Sequence, residues 1–353
     1  MQRAEVVLGT SDLTGDLGFF KRLGFRLDAI WPADDPSVAR MSGLGTALRL
    51  VAGQGAGTLR LLTDDAGALG AGRQVSPGGT VVEPDALTPQ VEMPQTLHSF
   101  VVRRLRDEAP WVIGRAGMHY RDLVPDRLGG AIIASHIRIP DGGPVPDMVH
   151  YHTVGFQLIF CYRGWVDLVY EDQGAPFRLH AGACVIQPPR IRHRVLYASP
   201  DIEVIEIGVP AEHVTTIDHE MELPNGRVDR ERRWDGQRFV RHEPEGAAWR
   251  PFRIPGLISR DTSIGENTGG VAGVHVVRRG EGEVPATSHG TDILFTFVME
   301  GGMRLEGEGR AYDLEPGDAF AVPPGVVTRY AEASEDLELL EVSLPADVPT
   351  ELA

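Results

Sequence analysis

The chain has 353 residues, 42% of them hydrophobic, with 50 acidic against 34 basic residues and a net charge of −16. That length suits two or three domains with a sizeable core, and the acidic balance excludes a general nucleic-acid binder, which needs a basic face. The 42 Gly and 26 Pro predict many turns between short strands. No apolar run approaches the ~18 residues needed to span a bilayer. Met1-Gln2-Arg3-Ala4-Glu5 leads into a strand pattern and not into a signal segment. Cys161 and Cys184 both fall inside apolar runs, which predicts free thiols in a reducing compartment. A cytoplasmic protein without nucleic-acid or membrane partners is expected.

Residues 3–66 read as one unit. A strand at 4–8 is followed by a helix capped by Ser11 or Asp12. Leu13, Leu17, Phe19, Phe20 and Leu23 give that helix an apolar face, and Gly24 closes it. Strands follow at 25–31, 38–41, 47–51 and 58–62. The run VVLGTSDLTGDLGFFKRLGFRLDAI resembles the opening of a vicinal-oxygen-chelate, or glyoxalase-like, half-module. The resemblance implies a small α+β βαβββ unit over residues 1–66. Members of that family place a metal-binding His in the first strand and a Glu in the last. Here both are missing, so a structural or interaction module without its own metal is expected. Residues 64–95 are rich in Gly, Ala, Pro and acids and read as surface loop, with a linker at 67–97 and a short strand at 80–82.

The stretch VHYHTVGFQLIFCYRG, followed by GACVIQPPRIRH, carries the chemistry. His150 and His152 are two apart, so on a strand both point to the same face. Gln157 needs an intervening turn to reach that face, and His193 follows in the second segment. Three neutral nitrogens and one oxygen suit a divalent transition metal with room left for solvent or substrate. The chain also repeats itself at an offset of roughly 135 residues. GACVIQPPRIRH from Gly182 aligns with GDAFAVPPGVVT from Gly317, and EVIEIGVP from Glu203 aligns with ELLEVSLP from Glu338.

Each half resembles a cupin, and residues 98–350 together resemble a bicupin. The first cupin motif is matched by His150, His152 and Gly164, with Gln157 where Glu is usual. The second is matched by Gly182, Pro188 and His193, with Arg190 in place of the inner Gly. The resemblance implies a mainly β fold. Two cupin domains, each a double-stranded β-helix jelly roll, are expected at 98–222 and 223–353 behind the N-terminal module. It makes His150, His152, Gln157 and His193 the ligands of one divalent transition metal. Fe(II) is favoured, and Mn, Ni, Cu and Zn also accept imidazole. Gln in place of Glu leaves the site at about +2, which strengthens a Lewis acid and favours an anionic or chelating substrate. It also removes a carboxylate that acts as a base at the metal. In the second half the same positions are Thr287, His289, Leu294 and Thr328, with Asp292 two residues off register. That half is expected to hold no metal and to serve packing, dimerisation or substrate enclosure.

His136 and Arg138 share one face of the run 131–139. They either line the cavity and bind a carboxylate or form a solvated strand face. Cys161 has the parity of Gln157, and either reaches the cavity or packs as a small hydrophobe. Arg192, with Tyr162 and Arg190, is placed at the rim of the mouth. His213 and His219 fall in a connector and are assigned to the surface. The leading functional expectation is a metal-dependent dioxygenase-type oxidoreductase acting on a small oxygen-rich molecule, in a homodimer. The alternatives are an isomerase or lyase of the same superfamily, or a non-catalytic small-molecule-binding bicupin.

Overall fold

The structure is a computed structural model, which describes residues 2–353 other than 23, 44–45, 54–57, 64–71, 76–80, 89–90, 108–110 and 115–116. Strands dominate, and the α-helices among the described residues are Leu13–Arg22 and Ile264–Asn267. No helix among them is long and apolar enough to cross a membrane.

The first unit runs Gln2–Thr10, helix Leu13–Arg22, then strands Arg26–Trp31, Val38–Gly43, Thr46–Ala52 and Thr58–Thr63. The Asp12 carboxylate caps the helix by accepting from the Gly15 backbone N–H at 2.8 Å. Leu13, Leu17 and Phe20 pack on Ala39, Met41 and Leu50; the side chains of Phe19 and Leu23 lie outside the described residues. The helical crossover brings Gln2–Thr10 alongside Thr46–Ala52 in parallel, while Arg26–Trp31, Val38–Gly43 and Thr46–Ala52 follow one another as antiparallel hairpins. Part of the stretch read as linker is strand, because Val81–Ala86 pairs in parallel with Thr58–Thr63. Thr80, assigned to a strand from the sequence, lies outside the described residues.

This sheet does not stop at the unit's edge. Ala29 and Ile30 pair with Thr216 and Thr215 of strand Val214–Ile217, which in turn pairs with His150–Thr153. The first module and one sheet of the first barrel are therefore continuous. That sheet continues through His193–Ala198, Trp165–Tyr170 and Phe177–His180. The facing sheet is built from Cys184–Ile186, Phe156–Arg163, Ile202–Val209, Ile133–Ile139 and His119–Asp122, with short edge strands. The second barrel repeats the plan. Gly273–Arg279, Glu338–Leu344, Ile293–Glu300 and Ala319–Ala321 face Met303–Gly307, Thr328–Ala331 and Thr287–His289.

The two barrels bury one sheet each against the other. On Phe156–Arg163 the alternate residues Phe156, Leu158, Phe160 and Tyr162 join Phe295, Phe297 and Met299 in one shared core. The opposite parity, with Ile159 and Cys161, faces the first barrel's own interior. This explains why the run FQLIFCYR is apolar on both faces. The chain also crosses between barrels twice. Val101–Arg103 pairs with Ala319–Ala321 of the second barrel, and Arg241–His242 pairs with Cys184 and Val185 of the first. Each barrel thus takes an edge strand from across the boundary drawn between 222 and 223.

The repeat is visible in register. His150 pairs with His193, and Thr287 pairs with Thr328. Gly164 and Gly301 close equivalent hairpins at φ 73° and 67°, where a Cβ would collide with the hydroxyl of Ser199 or Ser334.

Candidate metal centre

His150 and His152 stand on one strand, and His193 opens the next, directly across from His150. One ring nitrogen of each lies within 4.8 Å of the others. The ring centroids of His150 and His193 are 4.2 Å apart, and those of His152 lie 5.1 and 5.2 Å from them. All three side chains are buried, at 1%, 5% and 2% exposure.

Each ring is held at Nδ1. That of His150 lies 2.7 Å from the Met148 carbonyl, that of His193 3.0 Å from the Ile191 carbonyl, and that of His152 3.0 Å from the Thr215 hydroxyl. A carbonyl only accepts, so Nδ1 of His150 and His193 carries the proton and Nε2 keeps the lone pair. Asp147, fully buried, places a carboxylate oxygen 3.5 Å from His150 Nδ1, and its other oxygen accepts from the Val195 backbone N–H at 2.9 Å. Three imidazoles, those of His150 and His193 oriented by carbonyl acceptors and that of His152 by a hydroxyl, are a donor set that a divalent transition metal takes.

The loop ahead of His193 is shaped by Arg190. It adopts φ 66° where the second barrel has Gly325 at φ 77°. The Arg190 backbone N–H bonds the His152 carbonyl at 2.9 Å, as that of Gly325 bonds the His289 carbonyl at 2.8 Å. The left-handed turn is thus kept without glycine, at a cost of ~1–2 kcal/mol. The guanidinium points out to Asp235 at 2.7 Å.

Gln157 sits on the facing sheet, fully buried. Its Nε2 donates to Glu206 at 2.6 Å, and its Oε1 is buried without a hydrogen-bond partner among the described residues. Glu206 lines the same cavity as the three histidines. The carboxylate absent at position 157 is therefore supplied from a neighbouring strand. The earlier expectation that the site lacks one is corrected. Gln187, which the sequence did not single out, also lines the cavity. Its Nε2 donates to the Tyr170 hydroxyl at 2.9 Å, and its Oε1 is buried without a partner among the described residues. The Tyr170 ring stacks on His193 at 5.4 Å, and burial pushes its hydroxyl well above the usual tyrosine range. Beyond these groups the cavity, about 80 Å³, is walled by Ile137, Ile139, Ile159, Val195 and Val204.

The other sequence candidates lie elsewhere. His136 has the outward parity of its strand and packs edge-on against Trp111, Tyr162 and Phe297, at centroid distances of 5.1 to 5.9 Å. Its Nε2 bonds Glu203 at 2.6 Å and its Nδ1 accepts from Arg121 at 3.1 Å. Arg138, also outward, pairs with Asp201 at 2.8 Å. Their place on the cavity wall is taken by Ile137 and Ile139. Cys161 packs inside the barrel core, off the cavity wall, and burial pushes its thiol up to about 12. Arg192 lies over the Tyr151 ring and bonds Asp218 at 3.0 Å, away from the cavity. Tyr162 donates to the Met299 carbonyl of the second barrel.

His213, assigned to the surface from the sequence, is buried. Its ring is 5.5 Å from that of His152 and packs against Gly208. In the second barrel His289 is turned the other way, with Nε2 on the Val322 carbonyl at 3.1 Å. Glu341, the repeat partner of Glu206, is neutralised by Arg253 at 2.5 Å. Asp292 is held by Thr96 and His98 at 2.6 and 2.7 Å.

Comparison with known proteins agrees with this architecture. The cupin domain family model matches residues 273–343, within the second barrel. No curated protein matches the sequence. Among solved structures, salicylate 1,2-dioxygenase from Pseudaminobacter salicylatoxidans superposes with a TM-score of 0.52 at 17% identity, over 74% of this chain and 90% of that one. Oxalate decarboxylase from Lactobacillus farciminis, solved with formate, gives 0.54 at 11% identity, over 74% and 90%. A single-site variant of the salicylate dioxygenase was solved with gentisate. Residues 273–343 match the cupin domain model, and about three quarters of the chain shares the fold of these two enzymes.

Proposed function

We propose that the first barrel is a metal-dependent enzyme centre of the dioxygenase type, acting on a small oxygen-bearing molecule. The observation that carries this is the cluster of three imidazoles, each fixed at Nδ1, at one end of an apolar cavity. His150, His152 and His193 are the proposed ligands, with the orphaned Gln157 Oε1 as the fourth. Fe(II) is the proposed metal; when bound it supplies a Lewis acid and a one-electron centre for O₂ chemistry. The fold likeness to salicylate 1,2-dioxygenase supports the same class.

The chain's own groups divide the remaining work. Glu206 fixes the Gln157 amide by accepting from Nε2, and its carboxylate on the cavity wall takes the proton of a substrate hydroxyl. Gln187 presents an amide oxygen beside His193 that accepts a second substrate donor. The apolar wall excludes water from the body of the substrate and confines polar recognition to the histidine end. The first module is proposed as a glyoxalase-like half-module without metal. Its strand order, with the first strand parallel to the one after the hairpin, supports that assignment.

The test is oxygen uptake by protein loaded anaerobically with Fe(II), offered catechol, 2-hydroxybenzoate and a β-diketone in turn. Uptake in the wild type, absent in His193→Ala, supports the reading. Conversion of a substrate without oxygen consumption would move the centre to lyase or isomerase chemistry, the class suggested by the oxalate decarboxylase likeness.

A further inference from the structure

A second cavity, about 160 Å³, lies between the N-terminal module and strand Val214–Ile217 and shares no lining residue with the histidine cavity. Three guanidinium groups line it, those of Arg40, Arg49 and Arg60, in a chain whose net charge is −16. Three carboxylates answer two of them. Asp85 is already bonded to Arg60 at 2.7 Å, Glu83 accepts from Arg60 at 3.4 Å, and Glu5 lies 3.7 Å from Arg40. Among the described residues no carboxylate lies within ion-pair distance of Arg49, whose guanidinium stacks over the Trp31 ring at 4.6 Å. Arg49 is the guanidinium of the pocket that makes no ion pair among the described residues. Burial, then repulsion from Arg60, lowers its pKa to about 10. Glu5 leaves a different need, for a hydrogen-bond donor. It is 1% exposed, lines the cavity, and its Oε1 has no hydrogen-bond partner among the described residues. A desolvated cation beside a like charge is costly unless an anion joins it.

We propose that this cavity is a binding site for a small organic carboxylate, held by the Arg49 fork on the carboxylate oxygens. A guanidinium fork matches a carboxylate in two parallel bonds. Leu62, Val214 and the Trp31 ring make the rest of the lining apolar, which suits a ligand with a hydrocarbon body over bare inorganic phosphate. The site backs onto strand Val214–Ile217, whose Thr215 holds His152.

The experiment is calorimetric titration of the full-length, metal-free protein with sodium benzoate, and separately with inorganic phosphate. One saturable benzoate site per chain is expected, retained in His193→Ala. Arg49→Met keeps the apolar stem and breaks no ion pair among the described residues. It should weaken benzoate binding roughly tenfold to a hundredfold. Arg49→Lys, which keeps the charge and loses the fork, should fall between. Three results would overturn the proposal: no saturable benzoate binding, binding that Arg49→Met leaves unchanged, or binding lost in His193→Ala. Phosphate binding as tight as benzoate, competing for the same site, would overturn the assignment to an organic carboxylate. Near-ultraviolet circular dichroism confirms that each variant is folded.

Discussion

Thr215→Val separates a support for the metal centre from the centre itself. Thr215 is fully buried, and its hydroxyl is 3.0 Å from His152 Nδ1. Valine keeps the shape and the strand preference and removes only the hydroxyl. Two consequences follow. Nδ1 is left buried without its partner, which costs ~1–3 kcal/mol of folded stability. The ring also loses the bond that fixes its orientation. Removing such an outer partner lowers metal affinity by about 10–100-fold, equal to ~1.4–2.8 kcal/mol. The assay is competition for Co(II) or Zn(II) against a chelating dye, with full-length protein. Thr216→Val, one residue along on the opposite face, is the control and should bind as the wild type does. Unchanged affinity in Thr215→Val, or an equal loss in both variants, would refute the reasoning that the hydroxyl orients His152.

Glu206→Gln should keep metal content at the wild-type level and abolish oxygen uptake, because it removes the carboxylate and preserves a partner for Gln157; loss of metal would instead make Glu206 a ligand. For His136, burial pushes the pKa below its ordinary 6.5 against the opposing hydrogen bond to Glu203, and the Arg121 guanidinium adds to the lowering. A depressed value means the unfolded chain binds the proton more readily. The stability this residue contributes is therefore present above pH 6.5 and lost as pH falls through its folded value, by up to ~1.4 kcal/mol per pH unit. Urea midpoints at pH 7.5 and 5.5 should drop more in the wild type than in His136→Gln, and equal drops would contradict this. Burial pushes Cys161 and Cys184 both up to about 12, so a thiol reagent should label neither in the native protein and both in guanidinium; a fast-reacting native thiol would be inconsistent with the fold.

The histidine cluster was legible because strand periodicity alone sets His150 and His152 on one face, and the repeat supplied the frame that brings His193 opposite. Glu206 was hidden, because its place depends on cross-strand register: it pairs with Ile159, one layer from Gln157. A signal did exist, since Glu206 and Glu341 occupy equivalent positions of the two repeats. His136 was misplaced because both faces of Ile133–Ile139 are buried, one by the barrel interior and one by the second barrel. Alternation then cannot say which face is inward. His213 reads as a connector residue in the sequence. It is buried because Gly208 leaves room for its ring behind His152. The two crossings between barrels rest on strands of three and two residues, Val101–Arg103 and Arg241–His242, too short to carry a pattern.

Metal content by mass spectrometry tests the central claim most directly, on protein purified without chelator, beside His150→Ala and His193→Ala. The account predicts close to one transition-metal ion per chain, lost in both variants while the fold is kept. No metal in the wild type, and none taken up on incubation with Fe(II), Mn(II) or Zn(II), would contradict it and leave the three histidines a buried structural cluster.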